Sequence, residues 1–139
     1  MLFRSNLRGA KLCEANLSYS NLSNADLTGA DLRRSRFEHC KLDGACLDDA
    51  NMERANFRMT SLRRASLKNV ALLNGVLQGA DLREAALNGS RLKRTVLCDA
   101  DLTDTVFTGA DLDEADIRWA TFDLDKMMDA DLSTTRIRY

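Results

Sequence analysis

Few side chains in this 139-residue sequence stand where they could share chemistry. The single histidine, His39, lies between Glu38 and Cys40, which puts a base beside a thiol. Asp48 and Asp49 are paired carboxylates of the kind used in acid–base work. The soft metal ligands are His39 and four cysteines, Cys13, Cys40, Cys46 and Cys98. None of the cysteines forms a CxxC pair, and a zinc site needs about four converging ligands. The glycines are single and recur at intervals, unlike a phosphate-cradling loop. Sequons at Asn16, Asn21 and Asn88 matter only to a secreted chain.

The chain must position these groups, and its organisation is a five-residue unit. A large apolar residue returns at every fifth position, from Leu2 through Leu7 and Leu12 to Leu132 and Ile137. Most are leucine; Phe37, Met52, Phe57, Phe107, Ile117, Phe122 and Met127 hold the same register. Two residues before each sits a small residue, usually alanine, with Ser, Thr, Cys40, Val70, Gly75 and Asp125 as variants. Five is neither the helical period of about 3.6 nor the strand period of 2. A chain that turns after every unit resolves this. Within a unit, a short extended stretch points the small and large residues the same way. Fixed-period units of this kind stack on a shared core.

Six of the seven glycines fall two positions after the large residue, where Asn24, Asn69 and Asn74 also lie. That slot calls for φ > 0, as in a type II turn. In this register Cys40 points inward and His39 outward, so they do not form a nucleophile–base pair. Asp48 and Asp49 lie on a convex face. The sequence therefore offers no catalytic, cofactor-binding or metal-binding residues. Asp125, in an inward slot, is a costly carboxylate that must reach water or cap an end.

The tandem pattern small-(Asp/Asn)-Leu-x-x, plainest in Ala25-Asp26-Leu27-Thr28-Gly29-Ala30-Asp31-Leu32, resembles the pentapeptide-repeat family over essentially the whole chain. The Asp/Asn slot departs from it at positions such as Lys11, Arg36, Cys46, Val76 and Thr121. The resemblance implies an all-β fold. This is a right-handed, four-sided parallel β-helix of about seven coils, a single domain over residues 1–139 and about 30 Å long.

Twenty residues per coil set positions twenty apart in columns. One column reads Tyr19, His39, Met59, Gly79, Asp99, Trp119, Tyr139 and holds the only Trp and both Tyr. Exposed aromatics and Arg favour interfaces, which makes Trp119 and Tyr139 candidates for partner binding. Charge is also uneven. Residues 1–70 carry net +4 and residues 71–139 net −5. Basic residues Arg33, Arg34, Arg54, Arg91, Lys93 and Arg94 share one face. Acid is dense from Asp99 to Asp131, with Asp111, Asp113 and Glu114 as candidate contacts for a basic partner. Ala71, Leu73, Val76, Ala86, Val96 and Val106 are expected to be outward apolar residues.

The expected function is a non-enzymatic protein-interaction scaffold without cofactor. One alternative, implied by the resemblance, is a DNA mimic that binds a topoisomerase (gyrase) and protects it from quinolones. Another is a repeat domain of a larger or secreted effector. Direct nucleic-acid binding is disfavoured by the net charge of −1. No apolar run approaches a membrane span. The absence of a leader and the reduced thiols suggest the cytoplasm. Open coil ends would pair or fray, and Ile137 and Tyr139 suggest a homodimer through the C-terminal coil.

Overall fold

The computed structural model describes residues 2–127 and 129–137. Its backbone repeats one hydrogen-bond scheme. Leu27 N–H donates to Cys46 O of the next circuit at 2.7 Å, and Gly29 N–H to Asp48 O at 2.8 Å. Asp26 N–H donates to Ser5 O of the preceding circuit at 2.9 Å. The turn closes on itself through Ala30 N–H and Leu27 O at 3.0 Å. The remaining donor, Thr28 N–H, reaches the Asp26 carboxylate at 3.0 Å. That last bond explains the preference for Asp or Asn before the large residue. A short acceptor side chain there satisfies the amide two residues on, as in an Asx turn. Where the slot holds serine, a carboxylate of the preceding circuit substitutes. Arg63 N–H donates to Asp43 at 3.1 Å, and Lys68 N–H to Asp48 at 2.9 Å.

Parallel bridges join residues twenty apart, from Asn6–Asp26 to Asp116–Arg136. Four turns therefore complete one circuit. Contact between circuits is short. The extended pairs β1 (Asp101–Leu102) and β2 (Thr121–Phe122) are the longest strands among the described residues, and they are parallel and in register.

The inward positions from Leu22 to Ile117 form one core, with Leu22, Leu67 and Leu87 fully buried. Phe37 and Phe57 stack face to face inside it, with centroids 4.6 Å apart. Leu2, Leu7, Leu12 and Leu17 are only partly buried against it. Small hydroxyls in the core are satisfied by the backbone. Thr60, Ser90, Thr95 and Thr105 each donate to the carbonyl of the large residue one circuit back, at 2.5 to 2.8 Å.

Two expectations change. The positive-φ slot does not demand Gly or Asn. Every unit from Arg4 to Trp119 adopts it, including His39, Met59, Tyr19 and several arginines. The left-handed conformation costs such residues roughly 1–2 kcal/mol, offset because the amide at that slot bonds the next circuit. At Gly79 a Cβ would lie 2.4 Å from the sulfur of Met59, an exposed side chain that would have to move aside. The outward apolar residues are also spread over three faces. Ala71 and Leu73 lie on one face, Val76 and Val96 on the next, and Ala86 and Val106 on a third. Ala71 is itself buried.

Among the described residues the pattern breaks once. After β2 the chain makes a 3-10 turn, Leu124–Lys126, in place of the usual turn. Asp125 is exposed rather than inward, as a carboxylate in that slot requires. Met127 is still buried.

Candidate functional site

The inward/outward alternation disperses the sequence's reactive groups. Cys40 is buried, its thiol donating to Leu17 O at 2.8 Å, and burial pushes that thiol up. His39 faces out and stacks on Tyr19, with centroids 5.1 Å apart and rings within 7° of parallel. Asp48 accepts from the Ser66 hydroxyl at 2.6 Å, so it serves the ladder between circuits. Cys98 is buried beside Asp116, and burial raises its thiol too.

The column of Tyr19, His39, Met59, Gly79, Asp99 and Trp119 is interrupted, because Gly79 and Asp99 separate Met59 from the tryptophan. Tyr139 lies outside the described residues. Trp119 is 55% exposed, and the Arg118 guanidinium sits over its ring at 5.3 Å. Arg118 is itself forked onto Asp116 by bonds of 2.7 and 2.6 Å. Those bonds hold the Asp116 carboxyl down at about 2, against the opposing cost of burial. The fork fixes a cation and an aromatic ring on the surface. Ile137 is partly buried against the core.

The acidic candidates share a face but not a common state. Asp111 is exposed. Asp113 pairs with Lys93 of the preceding circuit and accepts the Thr134 hydroxyl. Glu114 pairs with Arg94 at 2.8 Å. Lys93 lowers the Asp113 carboxyl, and Arg94 lowers that of Glu114. Both pairs lie within the acidic half, residues 71–139, where bases of one circuit neutralise acids of the next. The signal was present, since 93 and 113, and 94 and 114, differ by one circuit.

On the same face nearer the start, Arg33, Arg34 and Arg54 line an open groove of about 430 Å³, together with Glu53, Leu73 and Asn74. Arg33 is engaged by Asp31 and Arg34 by Glu14. Leu124, on the 3-10 turn, projects from a different face and is 56% exposed. No sequence pattern marked it.

A family model described as "Pentapeptide repeats (8 copies)" matches residues 5–44, 20–58, 30–69, 60–97, 76–110 and 90–123. The chain belongs to the pentapeptide repeat family. The pentapeptide repeat protein Rfr23 of the cyanobacterium Cyanothece 51142 is similar at 24% identity, with a TM-score of 0.73, covering 83% of this chain and 89% of that one. A pentapeptide repeat protein of the Arabidopsis thaliana thylakoid lumen is similar at 24% identity, with a TM-score of 0.57 and coverage of 76% and 70%. Both likenesses concern the pentapeptide fold. HetL, a pentapeptide repeat protein involved in heterocyst differentiation regulation in Nostoc sp. strain PCC 7120, is 28% identical, with a TM-score of 0.40 and coverage of 96% and 68%. No curated protein matches the sequence.

Proposed function

We propose that this chain is a non-enzymatic interaction scaffold, a right-handed four-sided β-helix of seven coils that presents its outer faces to a protein partner. Scaffolding of this kind is the general habit of pentapeptide repeat proteins. The axis is filled by Leu and Phe side chains, so recognition falls to the faces. The observation that carries the reading is the Trp119–Arg118–Asp116 arrangement. Trp and Arg dominate binding hot spots, and a side chain already held in place loses less freedom on docking. Here the cation is locked by a buried carboxylate, and the ring is left exposed.

The alternative of a DNA-mimicking gyrase ligand is weakened by the ion pairs at Asp113 and Glu114. A mimic needs carboxylates free to meet a basic groove, and these two already face Lys93 and Arg94.

Photo-crosslinking in the native cell tests the scaffold. An activatable residue at Trp119 should yield a discrete protein adduct, and the same residue at Asn69, on another face, should not. A lack of adducts at Trp119, or equal adducts at both, would count against it. A gyrase supercoiling assay with quinolone separates the alternative, because the scaffold reading expects no protection.

A further inference from the structure

Two surface features of this chain are complementary. The first is the groove walled by Arg33, Arg34 and Arg54, with Leu73 and Asn74 along its length. Among the described residues Arg54 makes no ion pair, and neither does Arg91, bridged to Ala71 in the adjoining circuit. An apolar step at Leu73 is thus flanked by uncommitted cations. The second feature is the 3-10 turn. It throws Leu124 out between Asp123 and Asp125. Among the described residues neither of these carboxylates makes an ion pair: Lys126 turns to Asp104, and Asp123 accepts the Asp104 amide. An exposed leucine between two carboxylates outside any ion pair is the converse of an apolar step between two arginines outside any ion pair.

We propose that the Asp123-Leu124-Asp125 knob of one copy docks in the Arg54–Leu73 groove of a second copy. This rests on the reading of the outer faces as recognition surfaces. Burying Leu124 against Leu73 removes apolar area from water, and the opposite charges set orientation and encounter rate. A nucleic acid or other polyanion suits the groove less well, since Glu53, Asp31 and Glu14 sit among its arginines. The knob belongs to a unit that starts at residue 121, and the groove to units that start at residues 11, 31, 51 and 71. They are half a circuit out of phase, so they lie on opposite sides of the rod. Two copies therefore cannot exchange both contacts. Each added copy leaves one knob and one groove free, which makes the contact heterologous and open-ended.

That geometry supplies its own test. Sedimentation velocity of the full chain across a concentration series should show species that grow with concentration and shrink with added salt. Two surface variants, Arg54→Glu for the groove and Leu124→Arg with Asp125→Arg for the knob, should each sediment as monomers with unchanged circular dichroism. Mixed in equal amounts, they should form a dimer that grows no further, because the pair has a single intact knob and a single intact groove and the contact uses both. A wild type that is monomeric throughout would overturn the proposal. So would variants that associate as the wild type does, or a mixture that stays monomeric while the wild type associates. None of these results touches the crosslinking outcome at Trp119, which lies on a third face, so failure here is separable from failure of the scaffold reading.

Discussion

Thr105 and Asp125 occupy the same inward column one circuit apart, and their units behave differently. Their strands β1 and β2 pair in register, so both begin alike. In the first unit Asp104 takes φ +59°, and the Thr105 hydroxyl donates to Leu82 O at 2.8 Å. In the second a 3-10 turn replaces the left-handed residue, and Asp125 is turned to solvent. In the regular units with an inward hydroxyl, the carbonyl of the large residue one circuit back faces this slot. A hydroxyl can donate to it, and an alanine is merely neutral. An ionised carboxylate can only accept, so it would bring two acceptors together in a dry site. The Asp123 side chain then repairs part of the loss. Its carboxylate accepts Asp104 N–H at 3.0 Å, the bond that a backbone carbonyl makes elsewhere. The chain tolerates any outward residue in this scheme but not an unpaired acceptor inside.

The sharpest way to break that comparison is at the centre of a regular unit. Leu67→Ala or Leu87→Ala should cost about 2–5 kcal/mol through lost burial and residual cavity. Lys68→Ala and Asn88→Ala, one residue outward, should stay within about 0.5 kcal/mol. Urea titration of the four variants measures this, and similar losses in all four would refute the inward/outward assignment.

Removing an interior donor should have a smaller effect. Thr60→Val keeps the shape but leaves Phe37 O without its hydroxyl partner, at a cost of about 1 kcal/mol. An equally stable variant would mean the slot is indifferent to donors, and the account of Asp125 would fall.

The converse change restores the rule. Asp125→Thr should recover the regular turn and gain about 0.5–1 kcal/mol, with new amide-exchange protection through residues 123–127. Unaltered protection there would place the cause of the 3-10 turn outside Asp125.

The smallest effect is confined to acid. Asp116 is a buried carboxylate that remains in place because Arg118 supplies donors, and its folded pKa is about 2, below the ordinary carboxylate range. A depressed folded pKa gives stability that is present above the unfolded value and lost as pH falls through the folded one. Wild-type stability should therefore decline between about pH 4 and pH 2. Asp116→Asn should flatten that limb. An identical slope in the variant would show that the fork carries no such linkage.

The fold was largely legible because its rule is local and repeated. One small and one large residue at a fixed spacing, with Asp or Asn between them, assign inside and outside from Leu2 to Ile117 without knowledge of the partner circuits. The same alternation showed that His39 and Cys40 diverge. The candidate site was less legible. Trp119 could be named as an exposed aromatic, but its lock through Arg118 to Asp116 depends on rotamers and burial. The acidic residues could be counted, yet their neutralisation by Lys93 and Arg94 requires the twenty-residue circuit to bring charges of successive coils into contact.

The sequence by itself determined the period, the direction of side chains in the regular units and the family resemblance, because turn chemistry and burial act within five residues. Only the tertiary structure decided which charges are free, where the grooves lie and that Leu124 projects. Those outcomes depend on neighbours twenty residues away and, at Asp125, on a carbonyl oxygen of the preceding circuit that no local pattern encodes.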